Sequence, residues 1–402
     1  MALAPLASER YELLWLVDFT TPASRQVTAV HAAMLRKLGS VVHLEDLSIS
    51  QAAAAVAQHA PDGIMTFQDA GMVRLAEIAA ELELPFHRPD AAERLVDKYV
   101  QRRALDKGGV SVPSYFEVPP DGDGRALAHL ESRIAFPAVL KPRYGTGSEN
   151  VVRAHTFADL VQALSQLRRD GGGDPMLVEE FLPTAPGRED EQVAGVVSVE
   201  SYVSEGRVSH VAVTGRFQFV EPFRETGNFI PAAIDEDERV AVLELATAAA
   251  LALEVESGCL HTEIKLTPDG PRLIEVNGRP GGGIPEMLAR ITDLDLYDVA
   301  CRLALGEQLP CETLKQTDRV AFRSVIQPPM SAHRVLGVQG LDTAANLPGV
   351  EQLKLNRGPG QPVDWRRGYR EFVFFAEGTV GDLEELRTLD RRIRQKVSVA
   401  YE

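Results

Sequence analysis

Short apolar runs alternate with amphipathic stretches over residues 1–90. The apolar runs at 13–19, 41–44 and 63–67 predict buried strands, and the amphipathic stretches at 24–38, 51–59 and 71–83 predict helices between them. This order predicts right-handed βαβ crossovers and a parallel sheet with helices on both faces. The turn at residues 18–22 lacks the glycines that let a backbone approach a dinucleotide pyrophosphate, which argues against a nicotinamide or flavin site.

A charged helix is predicted to begin with a capping box of Asp90 and Glu93 and to end before Gly108. Lys98 and Arg102 lie four residues apart in it, so both cations share one face. Beyond this helix the pattern changes to antiparallel strands with further helices. Strands are predicted at 136–141, 151–153, 176–182, 195–203, 208–219, 321–326 and 371–376, a hairpin at 259–279, and helices at 156–169, 235–254 and 382–396.

The predicted hairpin places two acidic residues opposite each other. If its turn is centred on Asp269, Glu263 lies across from Glu275 on the same face, with Cβ atoms about 5 Å apart. Asn277 and Arg279 share that face because side chains alternate along a strand. Opposed acids destabilise a sheet unless a cation lies between them, and oxygen ligands suit Mg²⁺. The alternative is a solvent-facing hairpin in which Lys265 shields the two acids.

Two shorter segments add candidate nucleotide-binding groups. Lys141 precedes Gly145 and Gly147, whereas the lysine of a Walker loop follows its glycines, so this is not a P-loop. The backbone N–H groups of this glycine-containing turn can nevertheless bind phosphate. The alternative interpretation is an ordinary turn that binds no ligand. The apolar strand 176–182 contains Glu179 and Glu180, which can face a planar heterocycle or simply be solvated acids at a strand end.

The composition restricts the class of protein. The chain has 402 residues, 45% of them hydrophobic, and a formal net charge of −16, which argues against general nucleic-acid binding. The N-terminal residues lack a basic signal-peptide region, and the most apolar helical stretch, 245–253, is too short for a membrane span, so we expect a cytoplasmic protein. The three cysteines, Cys259, Cys301 and Cys311, have no metal-site or disulfide spacing and are expected to be reduced thiols.

The order of these motifs along the chain resembles the ATP-grasp superfamily. Within this superfamily the sequence is most similar to bacterial L-amino-acid ligases. The residues that carry this similarity are His261, Thr262, Glu263, Ile264 and Lys265, followed by Asp269, Gly270, Ile274 and Glu275. The resemblance implies a mixed α/β and α+β architecture: an ATP-grasp fold with an N-terminal parallel βαβ domain and a small C-terminal α+β domain. The implied units are an N-terminal α/β domain at 1–90, a small or lid subdomain with a linker helix at 91–195, a large subdomain with the metal site at 196–310, and a C-terminal domain at 311–402.

The resemblance also implies roles for individual residues. The implied ATP-binding residues are Lys98, Lys141, Arg143, Gly145, Gly147, Ser148, Glu179, Glu180, Leu182 and, for the ribose, Glu189. Two Mg²⁺ ions, with Mn²⁺ as an alternative, would be bound by Glu263, Glu275 and Asn277. Arg279 and Lys265 are the implied catalytic residues, and Arg216, Glu225, Asn228 and Gly282 the implied substrate residues. Asn228 stands where relatives have a histidine, so the amino-acid preference stays open.

These roles imply an ATP-dependent carboxylate–amine ligase. A carboxylate attacks the γ-phosphoryl group of ATP, ADP leaves, and an amine displaces phosphate from the resulting acyl phosphate. The expected partners are ATP, a small carboxylate and an amine, with no nucleic acid or membrane, and a homodimer is left open. The alternatives are transfer to a carrier-protein thiol, a biotin-carboxylase-like carboxylation, a non-catalytic ATP-binding module and a purely structural α/β protein.

Overall fold

The first described strands form a small parallel sheet. The computed structural model describes residues 10–18, 34–120, 127–128, 131–169, 174–188, 192–311 and 318–402. Strand β1 (Leu14–Val17) pairs in parallel with β2 (Ser40–His43), as the N-terminal pattern predicts. Most of the helix predicted at 24–38 lies outside the described residues.

The strand predicted at 63–67 is wrong, because this segment has no regular structure. It packs instead on a later helix, α8 (Leu296–Ala304). A Cβ on Gly63 would lie 2.3 Å from the carbonyl oxygen of Ala304, and the Phe67 ring lies edge-on to Tyr297 with centroids 5.6 Å apart. Tertiary packing on α8 therefore replaces pairing in the sheet.

Four helices follow the small sheet: α1 (Ile49–Ala57), α2 (Met72–Glu81), α3 (Pro89–Val96) and α4 (Lys98–Lys107). The single helix predicted from Asp90 to Gly108 is wrong, because the chain breaks at Asp97, whose backbone is extended. The Asp97 carboxylate accepts hydrogen bonds from Tyr99 N at 2.9 Å and Val100 N at 3.3 Å, so it caps α4. This cap makes Lys98 the first residue of α4.

A four-stranded antiparallel sheet comes next. Its strands, in spatial order, are β3 (Tyr115–Val118), β6 (Met176–Glu180), β4 (Ala138–Pro142) and β5 (Val152–Ala154). Helix α5 (Phe157–Arg169) packs on it through Leu160, Leu164 and Leu167. The predicted strand–turn–strand–helix order of this region is confirmed.

The largest element is an eight-stranded antiparallel sheet. In spatial order its strands are β11 (Gly270–Asn277), β10 (Gly258–Thr267), β7 (Val193–Ser204), β8 (Arg207–Phe217), β9 (Gly227–Ile230), β12 (Val320–Ile326), β15 (Phe374–Val380) and β14 (Val350–Leu355). Backbone pairing of β9 with β12 joins residues before 310 to residues after it. The strands assigned from sequence to a C-terminal domain thus extend the sheet of the preceding region.

Helices cover this sheet on both faces. Helix α6 (Glu236–Ala252), capped by Asp235, packs on one face together with α4, and α10 (Leu383–Lys396) packs on the strands nearer the C-terminus. Helices α7 (Ile284–Ile291) and α8 cover part of the opposite face. The remaining elements are α9 (Leu341–Ala345), the paired strands β13 (Val335–Gln339) and β16 (Ser398–Tyr401), and 3₁₀ helices at Glu131–Arg133 and Trp365–Glu371.

Two further features concern membrane-spanning helices and the cysteines. Within the described ranges, no helix has the length and apolar character that crossing a bilayer requires. Cys259 and Cys301 are buried and Cys311 is exposed, and all three are free thiols.

The packing of α4 leads to a stability prediction. Leu105 is fully buried in the core between α4, α6 and the large sheet, whereas 57% of Leu251 on α6 is exposed. We expect Leu105→Ala to lower the free energy of unfolding by about 2–5 kcal/mol, because it removes buried methyl groups and leaves a cavity. Leu251→Ala, the matched control, should change it by less than about 0.5 kcal/mol. Urea denaturation measures both, and equal losses would contradict the assignment of this core.

Candidate active site

One face of the eight-stranded sheet carries a continuous set of polar side chains. Residues paired across neighbouring strands project from the same face. The first row is Glu275, Glu263, Ser198 and Thr214, the second is Asn277, His261 and Glu200, and the third is Arg216, Asn228, Arg323 and Glu377. The alternate positions, including Val197, Val199 and Val276, belong to the core on the other face. Strand alternation alone therefore separates the site from the core.

The hairpin pairs Glu263 with Glu275, as predicted. The turn is tighter than expected, because Thr267 pairs with Gly270 around a two-residue connection. A β-bulge between Glu263 and Ile264 shifts the register by one residue and restores the expected pairing beyond it. The tighter turn and the β-bulge are two departures from a regular hairpin that compensate each other. The two carboxylates therefore face each other as predicted.

Each of these two carboxylates is bound by a different cation. Glu275 Oε1 lies 2.9 Å from Lys98 Nζ. Glu263 Oε1 lies 3.3 Å from His261 Nε2 and 3.8 Å from Arg216 Nη2. Burial opposes ionisation of Glu263, but the hydrogen bond from His261 and the nearby charges lower its pKa to about 2. Glu263 therefore keeps its negative charge at neutral pH although it faces Glu275.

A buried ion pair lies behind Glu263. His261 Nδ1 is 2.9 Å from Glu200 Oε2, and Ser198 and Thr214 also donate hydrogen bonds to Glu200. Burial alone would lower the pKa of His261, but the carboxylate of Glu200 outweighs it and raises that pKa to about 9. The imidazole is held by Glu200 through Nδ1, while its Nε2 lies 3.0 Å from Arg216 Nη2 and 3.3 Å from Glu263 Oε1.

The oxygen donors at the hairpin suit a hard cation. Glu263 and Glu275 offer carboxylates. The amide nitrogen of Asn277 donates a hydrogen bond to His261 O at 3.4 Å, which leaves the amide oxygen of Asn277 available as a ligand. In the described part of the chain no cluster of three or more His, Cys, Asp or Glu side chains could hold a metal. This set of two carboxylates and one amide fits Mg²⁺, which completes its coordination with water and substrate phosphates.

Two buried lysines lie beside these acids. Lys98 Nζ donates to Gly145 O at 2.7 Å in addition to its contact with Glu275. Lys141 Nζ lies 2.5 Å from Glu179 Oε2, and burial lowers the pKa of Lys141 although Glu179 counteracts it. Both lie near the glycine loop, which we define as residues 143–148, and near the acids of the hairpin.

Glu179 has a role that its sequence context did not indicate. Its carboxylate, predicted beside adenine, lies 2.8 Å from Arg102 Nε as well as contacting Lys141. Arg102 is fully buried and donates to the carbonyl oxygen of Ile274. Glu180 instead accepts a hydrogen bond from Ser114 N at 3.1 Å, and Leu182 follows it after the strand ends. Glu179 therefore holds two cations in place beneath the site.

Arg143 is engaged away from the centre of the site. Its guanidinium forms ion pairs with Asp97 and Glu117 and lies over the Tyr99 ring, 5.1 Å from the centroid. The hydrogen bond with Asp97 raises the pKa of Arg143 further above its usual value. This arrangement fixes the start of the glycine loop against the N-terminus of α4.

The two residues predicted as catalytic have different surroundings. Arg279 Nη2 lies 2.7 Å from Asp69 Oδ2 and 2.9 Å from Thr146 Oγ1, so it joins the N-terminal region to the glycine loop. Lys265 donates to Thr184 Oγ1 at 2.7 Å, in the segment after β6, and burial lowers its pKa to about 8. The contacts of Arg279 place it in the site, whereas those of Lys265 place it beside the segment that follows β6.

Three of the predicted substrate residues, Arg216, Glu225 and Asn228, lie together beside this site, and we refer to them as the polar pocket. Arg216 is 2% exposed, and its Nε lies 3.9 Å from Glu225 Oε2. The Nε and Nη1 atoms of Arg216 and the Oδ1 atom of Asn228 are buried without hydrogen-bond partners among the described residues. A Cβ added at Gly282 would meet no atom within 4 Å. Unpaired buried polar atoms such as those of Arg216 and Asn228 are typical of a site that binds a polar ligand.

Glu225 is short of positive charge in this pocket. Burial and the negative charge of Glu263 raise its pKa, and Arg216 only partly offsets them. A ligand cation such as an ammonium group would offset this imbalance. The pocket therefore combines a buried guanidinium with a carboxylate that a cation would stabilise.

Sequence reasoning missed several residues of the site. His261 was noted for its resemblance but not as a partner of Glu263, although both lie on one strand face. Asp69 and Tyr369 lie far from the motifs along the chain, so no local pattern could have identified them. Glu189, the predicted ribose-binding residue, lies outside the described residues.

Gly145, Gly147 and Ser148 have positive φ angles of 119°, 68° and 59° in the glycine loop.

Comparisons with known proteins show which sequences and folds this chain is similar to. Residues 134–287 match the family profile of the ATP-grasp domain. An L-amino acid ligase from Bacillus licheniformis superposes with a TM-score of 0.73 at 22% identity, covering 91% of this chain and 89% of that chain. The alanine–anticapsin ligase of Bacillus subtilis is 25% identical over 341 residues, 73% of this chain and 70% of that protein.

A further relative is a protein of Sinorhizobium fredii described as uncharacterized. It is 28% identical over 314 residues, which span 75% of this chain and 60% of that protein. The match thus leaves a substantial part of that relative uncovered. Residues 134–287 thus match the ATP-grasp domain, and the chain as a whole is similar in fold and sequence to bacterial L-amino acid ligases.

Proposed function

We propose that this protein is an ATP-dependent ligase that activates the carboxylate of an amino acid or a similar small acid and joins it to an amine. The observation that carries the proposal is the facing pair Glu263 and Glu275, flanked by Lys98 and continuous with the pocket around Arg216. A nucleotide phosphate and a small polar substrate would meet at this pair. The L-amino acid ligase and alanine–anticapsin ligase resemblances support the same reaction class.

Nucleotide binding is assigned to the lysines and the glycine loop. Lys98 and Lys141 supply positive charge, and the loop supplies backbone N–H groups, so together they can bind the phosphate oxygens. Glu263, Glu275 and Asn277 would hold Mg²⁺. The bound metal would neutralise charge on the phosphoryl oxygens during transfer. The backbone near Glu180 and Leu182 would border the adenine.

The reaction needs no nucleophilic side chain. The substrate carboxylate oxygen bonds to the γ-phosphorus as the bond to ADP breaks, and the product is an acyl phosphate. The amine nitrogen then bonds to the carbonyl carbon, inorganic phosphate leaves, and the nitrogen loses a proton. Arg279 is placed between the glycine loop and the hairpin, where its charge would stabilise the negative oxygens in both steps. Positioning and electrostatic stabilisation therefore account for the catalysis.

The charges of the pocket indicate the substrate class. Arg216 suits a carboxylate, and Glu225 suits an ammonium group. An amino acid carries both groups on a small skeleton. The unpaired Oδ1 of Asn228 adds a hydrogen-bond acceptor in the same row of the sheet. We therefore assign an amino acid, or a small acid with an amino group, to this pocket.

The primary experiment measures phosphate release with ATP, Mg²⁺ and pairs drawn from the twenty common amino acids and simple amines. We expect phosphate release that depends on both an acid and an amine. Mass spectrometry should detect the amide product. Absence of acid-dependent phosphate release across the whole panel would contradict the proposal.

Substitution of a metal-binding residue gives a sharper test. We expect Glu275→Gln to lower kcat about 100-fold or more, because losing several kcal/mol of charge stabilisation corresponds to that factor. Circular dichroism should show an unchanged fold. The matched control is Glu256→Gln, at an exposed glutamate that pairs with Arg88 on the surface, and it should retain full activity. Wild-type kinetics in Glu275→Gln would remove the metal assignment.

The pocket assignment has its own kinetic test. Glu225→Gln should raise the KM for the amino-acid substrate about 10- to 100-fold, because a hydrogen bond to a charged group contributes about 1.5–3 kcal/mol. The KM for ATP should change by less than about twofold. Glu221→Gln, at a nearby exposed residue that pairs with Arg153, is the control. Equal increases in both KM values would argue against a role for Glu225 in substrate recognition.

A further inference from the structure

We infer that Tyr369 determines substrate specificity from the C-terminal region, with its backbone holding the glycine loop and its hydroxyl bordering the substrate pocket. The inference deepens the proposed function and rests on it, since the substrate is the acid or amine of that reaction. Tyr369 lies more than eighty residues beyond the last predicted site motif, and the sequence analysis assigned it no role. Three structural observations support it.

The first observation is a direct contact between the C-terminal 3₁₀ helix Trp365–Glu371 and the glycine loop. Tyr369 N donates to Gly147 O at 2.8 Å, and Asn150 N donates to Arg366 O at 2.9 Å. These backbone hydrogen bonds join the tip of the loop to a segment that is distant in sequence. The C-terminal segment therefore fixes the position of the loop in this structure.

The close approach at this contact requires a glycine. Gly368 has a φ of +60°, and a Cβ there would lie 2.0 Å from Gly147 O and 2.9 Å from Glu149 N. An L side chain would be strained in this conformation and would also collide with the backbone of the loop. Gly368 thus allows the two backbones to meet.

The second observation is that the 3₁₀ helix is anchored independently of the loop. Glu371, only 1% exposed, lies 2.9 Å from Arg357 Nη2 and 3.3 Å from Arg367 Nη1, and it accepts a hydrogen bond from Asp364 N at 3.2 Å. The Tyr369 ring also packs on Phe372 with centroids 5.5 Å apart. The segment is therefore a fixed platform against which the loop docks.

The third observation is the environment of the Tyr369 hydroxyl. This atom is buried and forms no hydrogen bond of regular geometry among the described residues, although the Arg323 guanidinium lies close enough to interact with it. Burial raises the pKa of the hydroxyl, and the charged groups that act on it are Arg323, Glu225 and Arg216. Two of these belong to the proposed substrate pocket. Arg323 lies beside Asn228, which has its own unpaired oxygen, in the third polar row of the sheet.

These contacts suggest how Tyr369 acts. A buried hydroxyl without a well-formed hydrogen bond has lost its bonds to water, and a polar group of the substrate would supply one beside the contact with Arg323. The same residue binds the glycine loop through its backbone N–H. A substrate that stabilises Tyr369 would therefore also favour the docked loop, and by linkage a docked loop would favour substrate binding.

The kinetic test is Tyr369→Phe, which retains the ring and the backbone contact but removes the hydroxyl. Using the acid and amine that give phosphate release in the wild type, we expect the KM of one substrate to rise about tenfold, corresponding to one lost hydrogen bond. The KM for ATP should stay within about twofold. Tyr401→Phe, in strand β16, is the matched control and should leave both KM values unchanged.

A purely structural role for Tyr369 would give a different result, because it would lower stability or kcat without separating the two KM values. Unchanged KM values for both substrates in Tyr369→Phe, or an equal increase for ATP, would overturn the inference.

The backbone contact is tested without turnover. Gly368→Ala should increase amide hydrogen exchange at 144–150 in the full-length protein. Gly360→Ala is the control, since Gly360 has a similar φ of +83° but no atom lies within 4 Å of its added Cβ. Unchanged exchange in Gly368→Ala would overturn the docking of the loop. Because this measurement needs no substrate, it separates failure of the inference from failure of the proposed ligase activity.

Discussion

The site depends on the balanced opposition of Glu263 and Glu275. Two carboxylates directly across a sheet repel each other, and here each has its own cation. Lys98 comes from the start of α4, whereas His261 and Arg216 come from the sheet itself. The docking of α4 on the sheet is therefore part of the electrostatics of the site, because the break at Asp97 makes Lys98 the first residue of α4 and places it beside Glu275.

Buried ion pairs extend this balance beneath the surface. Glu179 is shared by Arg102 and Lys141, and Glu200 supports His261 behind Glu263. Removal of one member of such a pair leaves an uncompensated charge in a low-dielectric environment, which is more destabilising than the net contribution of the pair suggests. These networks hold the cations and acids of the site in position before any ligand binds, so little reorganisation is required.

Three distant parts of the chain meet at the glycine loop. Asp69 from the N-terminal region binds Arg279, Arg279 binds Thr146 in the loop, and the 3₁₀ helix near the C-terminus binds Gly147. An acyl phosphate is easily hydrolysed, so the proposed ligase reaction would require a site from which water is excluded. A loop held from both sides is suited to that task. The N-terminal and C-terminal regions thus contribute directly to the site and not only to stability.

The sequence by itself determined the features that depend on local periodicity. A turn centred on Asp269 predicted Glu263 opposite Glu275, a pairing that the structure reaches through a shifted turn and a β-bulge. The order of the motifs carried the ATP-grasp resemblance, because short motifs and strand alternation are encoded by neighbouring residues. Tertiary structure alone decided the missing strand at 63–67, the use of Glu179 to hold Arg102 and Lys141, and the arrival of Asp69 and Tyr369 at the loop. These features arise from contacts between residues far apart in sequence, whose positions depend on how the sheets and helices pack.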